Sequence, residues 1–309
     1  MKIWSNPHMF PTNEVVQEHI LLFPFLSLEL IEKNLDFVDV RKWIKEARKY
    51  IQYTSIDDCD VIVYHAKLNQ NIGEYINLAE KYNKKVIALY NDDNATPTNL
   101  PNCIDVYRTS FYRSKRKQNE YALPAWSDDF NNTKYFQPKI KTKKPTIGFC
   151  GALSNEYRQQ AMDILNINEN VITNFLVRKE GFWGGSVHNP TLRKQYIDNM
   201  YDSDIILCCK GVGNFSYRLY ETMSLGKIPL IVNSDMIFPF EDKIDWKNIS
   251  IFVNSIDEIN EAVNNFWNSI SDNQYIDLQI KIREIYENSI SPLGFIKEIS
   301  KIYENSDRN

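Results

Sequence analysis

The sequence predicts an α/β chain built from two Rossmann-like domains that face a cleft. Three observations carry this. Short β-branched runs alternate with helix-spaced apolar positions in both halves of the chain. A polar, basic, proline-bounded segment, "NNTKYFQPKIKTKKP", stands between those halves. Eight of the ten glycines fall between positions 148 and 226, in or beside loops that follow predicted strands. With 309 residues, 43% of them hydrophobic and 13% aromatic, the chain is long enough for two cores of about 150 residues each.

In the first half, "DCDVIVYHA" (58–66) and "KKVIALYNDD" (84–93) are strand-like runs. Between them Ile72, Tyr75, Ile76 and Ala79 recur at helical spacing, which makes a β-α-β unit. "NCIDVYRTS" (102–110) continues the alternation as a third strand. In the second half, "PTIGFCG", "VITNFLV", "DIILCCK" and "KIPLIVN" are predicted strands, with helices over "NEYRQQAMDIL", "TLRKQYIDNMYDS" and the stretch after Asn214. The expected boundaries are 1–135 for the first domain, 146–292 for the second, and 293–309 for a final helix crossing back to the first.

A net charge of -4 and a sequence pI near 5.7 supply no general attraction for nucleic acid or anionic membranes, so an anionic ligand must be held by local groups. Five cysteines (Cys59, Cys103, Cys150, Cys208 and Cys209) contain no C-x-x-C pair and read as free buried thiols. The apolar stretch "HILLFPFLSLELI" (19–31) lacks a basic leader and is shorter than the ~20 residues a bilayer span requires. The expectation is a reduced, cytoplasmic protein with no transmembrane segment.

The chemistry concentrates in the second half. The glycine loops "GFCGALS", "EGFWGGSVH" and "KGVGNFS" each follow a strand, and so meet at the carboxyl edge of a parallel sheet. A helix starting near Asn214 to Ser216 directs free N–H groups and its positive end there, which suits a phosphate. Arg218 and Glu221, three apart, share a helix face: an arginine fork fits phosphate oxygens and a carboxylate fits two ribose hydroxyls. The same spacing also describes an exposed ion pair worth about 0.3 kcal/mol. Lys210 is a further phosphate partner or a solvated loop lysine.

Residues 204–253, "DIILCCKGVGNFSYRLYETMSLGKIPLIVNSDMIFPFEDKIDWKNISIFV", resemble the C-terminal signature of the exostosin-like glycosyltransferases. They match it through the basic-Gly-x-Gly loop, the Ser-x-Arg-x-x-Glu helix, Gly-x-Ile-Pro, the Pro-Phe pair and Ile-Asp-Trp. "IGFCG" with Arg158 and "RKEGFWGG" with Arg178 resemble the same family's preceding loops. The resemblance implies a glycosyltransferase B-type fold, with acceptor binding in the first domain and a nucleotide-sugar, UDP-linked by expectation, in the second. It also implies inversion at the anomeric carbon without an obligatory metal or other cofactor. On this footing Arg218 contacts the diphosphate and Glu221 the ribose. Ser216, Gly211 and Gly213 shape the phosphate loop, Arg158 and Arg178 offset leaving-group charge, and Gly151, Lys210, Asn214 and Tyr217 complete the expected nucleotide-sugar-binding set. The expected acceptor is a glycan or glycolipid hydroxyl, as in polysaccharide or glycoconjugate synthesis.

An inverting transfer needs a general base for the acceptor hydroxyl. Candidates at strand ends of the first domain are Asp93 and Asp92, in a turn-like "NDDN", and His65. His8 and His188 are loop histidines that could reach a substrate or close a turn. Tyr107, Arg108, Arg113, Lys115 and Arg116 form a basic aromatic stretch, an acceptor contact or a solvated face. "DCD" (58–60) and "DSD" (202–204) precede strands and are assigned to turns, not metal binding. Two alternatives remain at this stage: a catalytically inactive glycan- or nucleotide-binding module of this fold, and a Rossmann oxidoreductase. The second is disfavoured because Ser216 takes the place of the last glycine of G-x-G-x-x-G.

Overall fold

The computed structural model describes residues 1–12, 16–34, 40–65, 70–126, 136–179 and 189–304. The chain divides into two compact α/β units. One comprises Met1–Asn131, Ile237–Phe240 and Glu287–Asn309; the other comprises Asn132–Met236 and Glu241–Tyr286.

The first unit is built on a parallel sheet of six strands: β1 (Lys2–Trp4), β2 (Gln52–Tyr53), β3 (Val61–Tyr64), β4 (Lys85–Tyr90), β5 (Ile104–Arg108) and β6 (Glu120–Ala122), in the order β2-β1-β3-β4-β5-β6. Burial on both faces explains the near-continuous apolar text of the central strands. Val61, Val63, Ile87 and Leu89 face one core, and Ile62, Tyr64, Val86 and Ala88 the other. Helices α1 (Leu28–Asn34) and α2 (Val40–Ala47) precede β2, and α3 (Ile72–Tyr82) joins β3 to β4. The last helix, α9 (Pro292–Glu304), buries Phe295, Ile296, Ile299 and Tyr303 in the first of those cores. The Tyr303 hydroxyl donates to Asp105 at 2.8 Å, and Trp126 Nε1 donates to the Ile290 carbonyl at 2.6 Å. The apolar stretch 19–31 also enters that core, with Ile20, Leu21, Leu22 and Phe23 fully buried.

One expectation fails in this unit. Tyr107 and Arg108 are neither a solvated face nor an acceptor contact: both lie on β5 and are 3% and 1% exposed. Arg108 Nη1 donates to Glu120 Oε1 at 2.7 Å and to the Thr96 carbonyl at 2.8 Å, and Nη2 donates to the Asn94 carbonyl at 2.6 Å. Glu120 also accepts from Thr98 N and Oγ1 and from Lys117 N. These partners offset the cost of burying the guanidinium, whose Nε is left without one among the described residues. Arg113, Lys115 and Arg116 are exposed, as a solvated face requires.

The second unit is a parallel sheet in the order β11-β10-β9-β7-β8. Its elements follow in sequence as β7 (Thr146–Ala152), α4 (Glu156–Asn166), β8 (Ile172–Arg178), α5 (Pro190–Asp202), β9 (Ile205–Leu207), α6 (Tyr217–Ser224), β10 (Ile228–Val232) and β11 (Ile251–Val253), then α7 (Ile259–Ser269) and α8 (Asp272–Ile285). The strand order reverses between β7 and β9, so the loops after these two strands flank the switch point where open α/β sheets bind ligands. Asp60 and Asp204 lie at the amino edges of the two sheets. Asp60 accepts from Lys2 N, and Asp204 from Thr146 N and the Tyr275 hydroxyl. The cysteines are free, and burial pushes the Cys208 thiol up to about 12 and that of Cys209 to about 11. No helix among the described residues is long and apolar enough to cross a membrane.

Candidate functional site

The switch point of the second unit is assembled from three local structures. The penultimate residue of strand β7 is Gly151, whose φ of +153° is rarely adopted by a residue with a side chain, and an added Cβ there would stand 2.8 Å from Arg218 Nη2. Helix α4 starts at an Asn155 cap: its Oδ1 accepts from Arg158 N at 3.2 Å, while its Nδ2 donates to the carbonyls of Lys210 and Gly211 at 2.9 Å each. That amide ties α4 to the loop after β9. The loop closes on itself through Gly211 N donating to the Phe215 carbonyl at 2.9 Å, and α6 then begins. The N-cap is Ser216, not Asn214, and the Ser216 side chain makes no capping bond; Asn214 is buried within the loop. The first N–H groups of α6 therefore lack the side-chain acceptor that usually serves them.

Two guanidinium groups meet here. Arg218 stacks on the Phe149 ring at 4.3 Å and donates from Nη2 to the Cys150 carbonyl at 2.7 Å. Its Nε and Nη1 are buried and have no hydrogen-bond partner among the described residues. Arg158 also lies over Phe149, at 5.7 Å, and donates from Nη1 to the Ala152 carbonyl and from Nε to that of Lys210. Burial first, and the charge of Arg218 second, lower the Arg158 pKa to about 10. An added Cβ at Gly211 would lie 3.5 Å from Arg158 Nη2, which puts that glycine beside the second cation.

Arg218 and Glu221 do not form the exposed ion pair that their spacing alone also allowed. Arg218 and Glu221 are 7% and 4% exposed, and the carboxylate turns to α5 instead: it accepts from the Tyr196 hydroxyl and lies 3.7 Å from Arg193 Nη2. Burial, and then the Glu221 charge, push the Tyr196 phenol well above its ordinary range. Sequence reasoning missed Tyr196, Arg193 and Asn155. The signal for the first two was the i,i+3 pair on a helix opening with "NPT", a cap followed by N1 proline. Lys210 places Nζ 5.2 Å over the Tyr157 ring, and Arg178 donates to the Leu192 carbonyl at the end of β8. Gly213 and Tyr217 fall in the same loop and the first turn of α6, whereas most of "RKEGFWGG" and His188 lie outside the described residues.

In the first unit, Asp92 and Asp93 are exposed after β4, and Asp92 Oδ1 accepts from Asn94 N at 2.7 Å, an Asx turn. His65 follows β3 and is 6% exposed. His8 is exposed in a short turn, Pro7–Met9.

A family model, the Exostosin GT47 domain, matches residues 77–266, more than half of the chain. The chain belongs to the exostosin GT47 family. With its two parallel-sheet units it has the α/β architecture of a glycosyltransferase B-type fold. A probable glucuronosyltransferase of Oryza sativa subsp. japonica is 39% identical over 66 residues, 21% of this chain and 15% of that protein. The probable β-1,4-xylosyltransferase IRX10L of Arabidopsis thaliana is 36% identical over 72 residues, 23% of this chain and 17% of that protein. The matched part thus spans less than a fifth of these relatives' length. Among solved structures, Anabaena Alr3699/HepE in complex with UDP aligns over 100% of both chains at 9% identity with a TM-score of 0.44. WaaG, a glycosyltransferase involved in lipopolysaccharide biosynthesis, aligns over 98% of this chain and 99% of its own at 7% identity and a TM-score of 0.37.

Proposed function

We propose that this exostosin-family chain is an inverting glycosyltransferase that moves a hexosyl or pentosyl group from a nucleoside diphosphate donor to a glycan or glycolipid hydroxyl. The observation that carries the reading is Arg218. Its guanidinium stays charged at any working pH, and its Nε and Nη1 are buried without acceptors among the described residues. An anion with several oxygens repays that cost. Arg158 adjoins it, and the positive end of α6 adds to the same field.

In this reading Arg218 and Arg158 hold the donor's diphosphate, with Lys210 and Arg178 as outer charges. They stabilise the negative charge that grows as the glycosidic bond to phosphate breaks, so no divalent ion is obligatory. Gly151, Gly211 and Gly213 let the backbone approach, and Asn214, Ser216 and Tyr217 shape the loop. Glu221 exchanges its Tyr196 bond for the ribose hydroxyls. UDP is the proposed nucleotide, and cytoplasmic action on polysaccharide or glycoconjugate precursors is the proposed setting.

Thermal shift against UDP, GDP and NAD, with and without EDTA, tests the reading. UDP at one hundred times its dissociation constant should stabilise the chain by about 2.7 kcal/mol, with EDTA making no difference. UDP-glucuronic acid and UDP-xylose head the donor panel, chosen from the names of the relatives. A melt raised by NAD alone overturns the proposal in favour of a dinucleotide site.

A further inference from the structure

The loop that follows β9 is gripped from outside by one side chain. Asn155, which caps α4, puts all of its polar capacity to use. Its Oδ1 accepts from Arg158 N at 3.2 Å, and Nδ2 donates to the Lys210 and Gly211 carbonyls at 2.9 Å each. The two carbonyls fix which way the amide points, since they only accept and the amide oxygen has no proton to give. Of the residues that commonly cap a helix, serine, threonine, aspartate and asparagine, only asparagine offers an acceptor and two donors at once. Capping alone needs neither of those two hydrogens.

The carbonyls that Asn155 takes belong to a larger set. Arg158 and Arg218 are surrounded by the carbonyls of Cys150, Ala152, Lys210 and Gly211, and each has a donor on it. Cys150 accepts from Arg218 Nη2 at 2.7 Å and Ala152 from Arg158 Nη1 at 2.8 Å. Lys210 accepts from Arg158 Nε at 3.1 Å as well as from Asn155, and Gly211 accepts from Asn155. A carbonyl presents the negative end of its dipole, so a bare one beside two guanidinium groups competes with an anion for them and repels it. Without the Asn155 amide, the Gly211 carbonyl loses this donor, and that of Lys210 is left with Arg158 Nε. The loop's seat also bears on the cation directly, because a Cβ added at Gly211 would stand 3.5 Å from Arg158 Nη2. Gly211 N is already committed to the Phe215 carbonyl at 2.9 Å, so the turn stays closed on itself and what the amide governs is its position against α4.

We propose that Asn155 is a positioning residue for the donor's diphosphate. It seats the 210–215 loop against α4, which keeps Arg158 beside Arg218, and it takes two carbonyl dipoles out of the field that an anion meets there. Asn155 acts through the loop and Arg158 and touches no ligand itself. Every residue in this arrangement belongs to the second unit. The inference rests on the donor-site reading above, and its test separates the two.

Titrations of the full chain with UDP, inorganic pyrophosphate and uridine test this role, beside amide exchange measured without ligand. Asn155→Ser keeps an oxygen cap for α4 and removes both amide donors without adding charge. Asn155→Asp keeps the cap and sets a carboxylate against the two carbonyls. Affinity for UDP and for pyrophosphate should fall about 5- to 10-fold in Asn155→Ser and further in Asn155→Asp. Uridine, which lacks the diphosphate, should bind wild type and both variants alike. Exchange should quicken at the amides from Gly211 to Phe215 in both variants and stay at the wild-type rate in α4. Equal losses for uridine and UDP would make Asn155 a general structural support and overturn the positioning role. Asn155→Ser binding UDP and pyrophosphate as wild type does overturns it too, and leaves the donor site standing. A wild-type chain that binds neither UDP nor pyrophosphate overturns the donor-site reading and the role of Asn155 with it.

Discussion

Two of the buried cations of the second unit, Arg218 and Lys227, make an instructive pair. Both have side-chain nitrogens with no hydrogen-bond partner among the described residues, and they stand at opposite ends of the same helix-strand passage, one opening α6 and the other just before β10. Lys227 is 2% exposed, beside the Tyr201 ring. Burial is the main cause that lowers its pKa from 10.5 to about 7, with Lys139 adding to it. A lysine can escape the cost of a buried charge by releasing its proton, whereas an arginine cannot. Lys227 thus needs no ligand, whereas Arg218 at the switch point keeps its charge, and the proposed reading gives it an anion. An orphaned buried donor points to an anion only when it is unable to neutralise itself.

Breaking the buried Arg108–Glu120 ion pair should have the largest effect on stability. Glu120→Ala leaves Arg108 buried beneath the 91–98 loop with its carboxylate gone, and should cost about 3–5 kcal/mol in chemical denaturation. It should also raise amide exchange at Asn94 to Thr98, whose backbone groups that pair engages. A loss below about 1 kcal/mol would mean that the first unit bears an unpaired cation as readily as the second does.

Lys227→Met comes next. The folded chain binds this proton less tightly than the unfolded chain does, so wild-type stability should climb as pH rises from about 7 towards 10.5. Replacement by an apolar side chain should stabilise by about 1–4 kcal/mol below pH 7, and that advantage should fade towards pH 10. Melting curves across this range check it, and a destabilised variant with no pH trend would show that Lys227 carries its charge on an unseen partner. UDP affinity should be the same as wild type. The adjacent Gly226, with φ of +63° and Phe136 packed where a Cβ would stand, explains why the turn before Lys227 is closed to water.

Gly151→Ala should produce the smallest change in stability, about 1 kcal/mol from backbone strain, but a visible loss of UDP affinity. The new methyl group would press on Arg218 Nη2, held 2.7 Å from the Cys150 carbonyl. Unaltered affinity by calorimetry would show that the exact placement of that guanidinium does not matter.

The same contrast explains what could be read from the sequence. The second unit's site is concentrated in a few contiguous stretches, above all 204–253, because one strand, one loop and one helix present most of its groups. The alternation of strand and helix there, and the strands β3 to β5 of the first unit, follow from apolar periodicity. Strands β1, β2, β6 and β11 span only two or three residues each, too short for a pattern to register. Burial of Arg108 and the turn of Glu221 towards Tyr196 depend on partners 12 and 25 positions away, which spacing along one helix or strand cannot reveal. Ser5 and His65 meet only through sheet order, since they follow two strands that are neighbours in the sheet and far apart in sequence.

Calorimetric titration of UDP into wild type, Arg218→Lys and Arg218→Ala tests the central claim most directly. The account predicts measurable binding to wild type, a loss of about 10-fold to 100-fold in Arg218→Ala, and incomplete recovery in Arg218→Lys, where a point charge replaces the planar fork. Equal affinity in all three would contradict it.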